Sequence, residues 1–224
     1  MKVNFTNLGL TSPPNISQEV TILCLDNNRI REFPGEIMAR YTNLKALSLA
    51  SNLLTSLPPE IGQLTSLEYL SLNYNLLTSL PPEIGELRQL RILNLGNNSL
   101  TCFPFQGSKT NSLSNLRVLY LNNNRLTDLS IHHLIHLESL ALSNNLLEEQ
   151  SLSQIVSLVN LRELFLNKNL LASLPPKEIG ERLTRLKILG LSGNPIQFLP
   201  FETDIDIPGF EKIPSWNPDL RVIL

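Results

Sequence analysis

LTSLPPEIG occupies residues 54–62 and recurs without a change at residues 77–85, 23 positions further along the chain. Near-identical segments at an interval of about 20–50 residues are typical of proteins that stack one small structural unit. The rest of the chain belongs to the same series, because eight copies align on a frame of apolar–x–x–Leu–x–Leu–x–x–Asn–x–apolar residues. The copies begin at Val20, Leu44, Leu67, Leu90, Leu116, Leu137, Leu161 and Leu186.

Each copy combines a strand pattern with an outer turn. In residues 44–52, Leu47 and Leu49 alternate with small or polar residues, which predicts a half-buried strand. The proline pair that follows ends the strand pairing, because proline has no backbone N–H to donate. Ile61 and Leu64, three residues apart, then favour a short helical or 3₁₀ turn on the outer side. One copy cannot bury its own leucines, so the pattern predicts a stack.

The frame asparagine follows every predicted strand. A chain that turns out of a sheet buries backbone groups without partners, and an asparagine side chain both donates and accepts hydrogen bonds. Eight asparagines in one phase therefore predict a structural ladder through the stack. Its members are Asn28, Asn52, Asn75, Asn98, Asn124, Asn145, Asn169 and Asn194.

Over residues 20–200 the chain resembles leucine-rich repeat proteins, and its LPPEIG copies are similar to those of intracellular Ras-associated and bacterial members. The resemblance implies an α/β solenoid, a right-handed horseshoe with a concave parallel β-sheet and with 3₁₀ turns, loops and short helices on the convex side. It also implies a non-enzymatic protein–protein interaction module without a cofactor. The family suggests a small GTPase, a phosphatase or a host protein as partner, and the module would act as an adaptor, a regulator or a bacterial effector.

The domain organisation follows from where the frame holds. We expect an N-terminal cap or degenerate repeat at residues 1–19, eight repeats at 20–200 and a C-terminal cap at 201–224, where Trp216 would cover the end of the core. The sixth copy departs from the LPPEIG form. Its apolar residues at 152, 155, 156 and 159 have helical spacings, which predicts a convex helix.

The variable letters of each strand should point away from the core and into the concavity. Four aromatic residues stand at such positions, and exposed aromatics on a rigid sheet are enriched at binding hot spots. Uncharged polar residues surround them, which favours a protein or peptide partner. The predicted contact residues are Tyr69, Asn73, Tyr74, Asn94, Tyr120, Asn122, Phe165, Asn167 and Lys168.

Charge, apolar runs and cysteine positions limit the classes of partner and the cellular compartment. The formal net charge is −2 and no block of like charge occurs, so we expect neither nucleic acid nor an anionic membrane as partner. No apolar run reaches the roughly 18–20 residues of a membrane span. Cys24 and Cys102 lie three predicted strands, or about 14 Å, apart, which predicts free thiols and a reducing compartment. We therefore expect a cytoplasmic monomer, with secretion or delivery into a host cell as the alternative.

Two other functions remain open. The chain could be a structural spacer within a longer polypeptide, because LRVIL at its end resembles the opening of one more strand. A remote alternative is a metal-dependent enzyme, since His132 and His136 are four residues apart and could share a helical face next to His133. No catalytic motif with a phosphate loop, nucleophile elbow or HExxH pattern is present, and we expect no catalytic or metal site.

Overall fold

The computed structural model describes residues 1–103, 112–173, 179, 181–196 and 221–223. Within them, ten short strands form one parallel sheet whose spatial order is the order of the sequence. The strands are β1 (Lys2–Asn4), β2 (Ile22–Cys24), β3 (Ala46–Ser48), β4 (Tyr69–Ser71), β5 (Ile92–Asn94), β6 (Val118–Tyr120), β7 (Ser139–Ala141), β8 (Glu163–Phe165), β9 (Ile188–Gly190) and β10 (Arg221–Ile223). The predicted solenoid with a parallel sheet is confirmed.

Equivalent frame positions lie beside one another, so the frame leucines form continuous columns. Leu47 pairs with Leu23 on one side and with Leu70 on the other, and all three are fully buried. Burying a leucine side chain contributes about 1.5–3 kcal/mol relative to exposure, and here each one is covered by its counterparts in the two neighbouring repeats. The core therefore runs the length of the described solenoid.

The outer side of the stack consists of short turns, as predicted. Described helical elements there are the α-helices α1 (Gly35–Met38) and α2 (Leu152–Ile155) and the 3₁₀ helices Pro59–Gln63, Pro82–Glu86 and Glu149–Ser151. In each LPPEIG copy the second proline opens the 3₁₀ helix, where its missing N–H costs nothing, and Ile61 or Ile84 is buried beneath it. The helix predicted for the sixth copy is present as α2. It is shorter than the spacing suggested, because it ends at Ile155 and does not include residues 156 and 159.

The sheet is two strands wider than the eight repeats of the sequence frame. β1 lies within residues 1–19 and β10 within residues 201–224, so each segment predicted as a cap contributes a strand. β1 was not foreseen because Val3 is its only apolar residue, too little for an alternating pattern. The covering role of these segments stays a prediction, and Trp216 lies outside the described residues. The described part contains no helix with the length and apolar character needed to cross a bilayer.

Candidate binding surface

The face of the sheet opposite the core carries the variable residues. Leu119 and Leu164 are fully buried, so the residues that follow them in β6 and β8, Tyr120 and Phe165, project from the opposite face. Pairing aligns Asn94, Tyr120, Ala141 and Phe165 in one row across β5 to β8. The result is a shallow face on which side chains from several repeats lie in register.

Beyond the strands, one position per repeat adopts a left-handed backbone conformation. The residues with positive φ there are Asn27, Ser51, Tyr74, Asn97, Asn123, Asn144, Lys168 and Gly193. Asparagine and glycine tolerate this region, whereas a bulky side chain is strained in it. Tyr74, at φ 55°, and Lys168, at φ 54°, are therefore unfavourable choices for the backbone they occupy.

The four predicted aromatic contacts differ in exposure. Tyr74 is 57% exposed and Tyr120 is 37% exposed. Tyr69 and Phe165, which were expected to be exposed, are half-buried. In their rows Tyr69 lies between Ala46 and Ile92, and Phe165 lies between Ala141 and Gly190.

Several of the predicted polar contacts are already used inside the sheet. Asn73 accepts a hydrogen bond from the Ser71 hydroxyl at 2.5 Å, and Asn94 accepts one from the Gly96 N–H at 3.1 Å. The Asn167 side chain accepts from the N–H of Ser192 at 3.0 Å. The amides of Asn73, Asn94 and Asn167 order the surface, which leaves the aromatics, Asn122 and Lys168 as its freer groups.

Two glycines, Gly96 just after β5 and Gly190 at the end of β9, make room for asparagines of adjacent repeats. A Cβ on Gly96 would lie 2.9 Å from Asn122 Oδ1, and one on Gly190 would lie 2.7 Å from Asn167 Nδ2. Both contacts are closer than real Cβ atoms tolerate. The side chains of Asn122 and Asn167 thus extend over the glycines of the neighbouring repeats. No side chain projects from the face at Gly96 or Gly190.

The eight frame asparagines lie at the turns and bridge consecutive repeats. Asn75 is representative: its Nδ2 donates to the carbonyls of Leu49 and Leu72 at 2.9 and 3.0 Å, and its Oδ1 accepts from the Leu54 N–H at 3.0 Å. Asn28 and Asn194, at the two ends of the series, make equivalent bonds. Each bond satisfies a backbone group that the turn leaves without a ladder partner.

A second asparagine row escaped the sequence frame. Asn43, Asn115 and Asn160 each precede the first frame leucine and donate to a carbonyl of the preceding repeat, at 2.9, 2.8 and 2.7 Å. The acceptors are the carbonyls of Gln18, Arg88 and Ile135. The recurrence of asparagine one position before the frame would have revealed this row, but only three copies carry it.

Charged residues line the edge of the sheet where the strands begin. Glu68 lies 3.8 Å from both Lys45 and Arg91, and Glu138 lies 3.4 Å from Arg117 and 3.8 Å from Arg162. The side chains are largely exposed, so each pair contributes little to stability. The sequence pattern does not predict this row, since its members are 21 or more residues apart and form a row only in the stack.

The histidines do not share a helical face. His132, His133 and His136 lie in consecutive turns, and His132 Nδ1 is 2.9 Å from Gln154 Oε1. Burial lowers the pKa of His133, and the nearby His132 lowers it further. In the described part of the chain no three His, Cys, Asp or Glu side chains are grouped to hold a metal. The geometry therefore offers the metal-dependent alternative no support.

The two cysteines, Cys24 and Cys102, are free, as the strand spacing predicted, and both are half-buried.

Sequence models of leucine-rich repeats match most of the framed region: "Leucine rich repeat" at residues 18–77, "Leucine Rich repeats (2 copies)" at 65–107 and "Leucine Rich Repeat" at 115–137. The chain belongs to the leucine-rich repeat family. No curated protein matches this repeat protein by sequence.

Solved structures similar to this leucine-rich repeat chain come from bacteria and plants. A leucine-rich repeat protein of Leptospira interrogans is 34% identical, with a TM-score of 0.64 over 88% of this chain and 55% of its own. An internalin of Listeria monocytogenes is 25% identical, with a TM-score of 0.73 over 98% and 57%. The ectodomain of the Arabidopsis thaliana receptor kinase GASSHO1/SCHENGEN3, solved in complex with Casparian strip integrity factor 2, is 30% identical, with a TM-score of 0.70 over 92% and 25%.

The chain spans a little over half the length of the two bacterial structures it matches. Family and fold together support a protein-interaction module in general terms, of a class that is typically non-enzymatic.

Proposed function

We propose that this chain is a non-enzymatic recognition module that binds a protein or peptide partner on its concave face. The exposure and backbone conformation of Tyr74 are the main support for this proposal. Tyr74 stands 57% exposed at a left-handed position where other repeats have asparagine, serine, lysine or glycine, so it adds backbone strain and buries little in return. A residue that the fold does not need at that place is best explained by a contact with another molecule.

Two further features support a protein ligand. Tyr120 projects from a strand whose leucine neighbours are fully buried, and a ring held on a rigid backbone loses little entropy on binding. The similarity to a receptor ectodomain solved with Casparian strip integrity factor 2 is in line with ligand binding by this fold. A small GTPase, a phosphatase or a host protein stay the partner classes that we propose.

The compartment is part of the same proposal. Free thiols at Cys24 and Cys102 favour a reducing environment, so we propose a cytoplasmic monomer, with delivery into a host cell or secretion as the alternative.

The test is affinity capture from lysate followed by mass spectrometry, comparing the wild-type chain with a Tyr69→Ala/Tyr120→Ala/Phe165→Ala variant. Capture should be lost in the variant while its thermal transition stays nearly the same, because none of the three rings is fully buried. The matched control, Ile135→Ala/His136→Ala/Val159→Ala, removes three exposed side chains of the outer side and should capture normally.

Capture that survives both the loss of these three rings and a Tyr74→Asn substitution would rule out the concave face. Wild-type protein that captures nothing would favour the structural spacer instead.

A further inference from the structure

The middle of the concave face contains a notch one strand wide. Its floor is β7, whose outward residues Ser139 and Ala141 are both small and 9% exposed. The strands on either side carry larger residues in the same rows: Tyr120 and Phe165 flank Ala141, and Glu163 lies beside Ser139. The notch therefore has two aromatic walls, a floor of small residues and a carboxylate at the end where the strands begin.

The width of the notch suits a flat group. Tyr120 and Phe165 lie two strand intervals apart, which is about 9.6 Å between their backbones. A planar group sandwiched between two ring faces needs about 7 Å, twice the contact distance of carbon atoms. Because Ala141 between them is only 9% exposed, the floor is nearly covered, and the two side chains must lean apart to admit a group.

The carboxylate at the end of the notch, that of Glu163, has no cationic side chain paired with it in the described part of the chain. The Ser139 hydroxyl donates to Glu163 Oε2 at 2.8 Å, and within the described residues Glu163 forms no ion pair. Arg162, the cation next to it in sequence, is paired with Glu138 at 3.8 Å. Within the described residues Asp26, at the far end of the face, also forms no ion pair, but it accepts two hydrogen bonds, from the Ser48 hydroxyl and the Ala50 N–H.

We propose that the notch receives an arginine side chain of the protein partner, stacked between Tyr120 and Phe165 and paired with Glu163. This inference rests on the proposed function and specifies one residue type of its ligand. Guanidinium is planar and weakly hydrated, stacks on aromatic rings and pairs with carboxylates, so it satisfies both the walls and the end of the notch. An apolar side chain would instead desolvate Glu163 without compensating its charge.

The experiment titrates the full 224-residue chain with N-acetyl-arginine methylamide and follows backbone amide shifts by NMR. The neutral isostere N-acetyl-citrulline methylamide has the same shape without the charge and is the control ligand. Arginine should shift the amides of Ala141 and Phe165 in a saturable way, and citrulline should not. Glu163→Gln should weaken the arginine response about tenfold, whereas Asp26→Asn should leave it unchanged.

Phe165→Leu is the second variant, needed if Glu163→Gln does not fold; loss of one ring should weaken arginine binding about threefold to fivefold. Equal responses to arginine and citrulline, or arginine binding unaffected by Glu163→Gln, would overturn the arginine proposal and leave the concave face as a binding surface. No response at Ala141 or Phe165 would also overturn it. The capture comparison decides the proposed function separately, because it does not depend on the charge of the ligand.

Discussion

Single asparagine side chains hold the turns of this protein. Replacing Asn75 by alanine would leave the Leu54 N–H and the carbonyls of Leu49 and Leu72 buried without that partner. We expect Asn75→Ala to lower the free energy of unfolding by about 2–4 kcal/mol, measured by urea denaturation. Thr78→Ala, an exposed change in the same repeat, should stay within about 0.5 kcal/mol. Equal effects of the two substitutions would show that the ladder is dispensable.

At Tyr74 the stability of the fold and the proposed contact with a partner favour different residues. Because a bulky residue at positive φ is strained and asparagine is not, Tyr74→Asn should raise the free energy of unfolding by about 0.5–1 kcal/mol. Tyr74→Phe keeps the strain and should leave stability unchanged. The same Tyr74→Asn protein should capture less partner. A loss of stability on Tyr74→Asn would mean that the tyrosine has native contacts that outweigh its strain.

Packing between successive outer turns depends on glycine. A Cβ on Gly62 would lie 2.8 Å from the backbone oxygen of Glu83 in the next 3₁₀ helix, whereas one on Gly35 would meet only the Glu60 side chain. A side chain can swing aside and a backbone cannot. Gly62→Ala should therefore lower the midpoint of urea unfolding, by an amount equivalent to about 1–3 kcal/mol, and Gly35→Ala should have little effect. A neutral Gly62→Ala would indicate that the 3₁₀ helices separate at low cost.

Over the whole solenoid, stability should fall from the middle of the stack to its first strand. Leu119 is fully buried between Leu93 and Leu140, whereas Val3 has a neighbouring strand on one side only and is half-buried. Leu119→Ala should cost about 2–5 kcal/mol and Val3→Ala about 1 kcal/mol or less. Native-state hydrogen exchange should show β1 opening before β6. Uniform protection across the sheet would contradict this gradient.

Much of the architecture could be predicted because the sequence of each repeat determines its own local structure. The alternation around Leu47 and Leu49, the proline pair and the apolar pair of Ile61 and Leu64 specify strand, stop and 3₁₀ turn within some twenty residues. Likewise, the frame asparagines predicted the turns they bridge, since backbone groups need a hydrogen-bond donor and acceptor wherever the chain leaves the sheet.

What only the tertiary structure decided is how residues from different repeats meet. The frame places both Tyr74 and Tyr120 outside the core, yet Tyr74 is 57% exposed and Tyr120 is 37% exposed, because burial depends on neighbours 21 or more residues away in the chain. The left-handed backbone under Tyr74, the edge row of charges and the notch above Ala141 have the same origin. The sequence of a repeat determines its own local fold, but the shape and charge of the concave face arise from contacts between adjacent repeats.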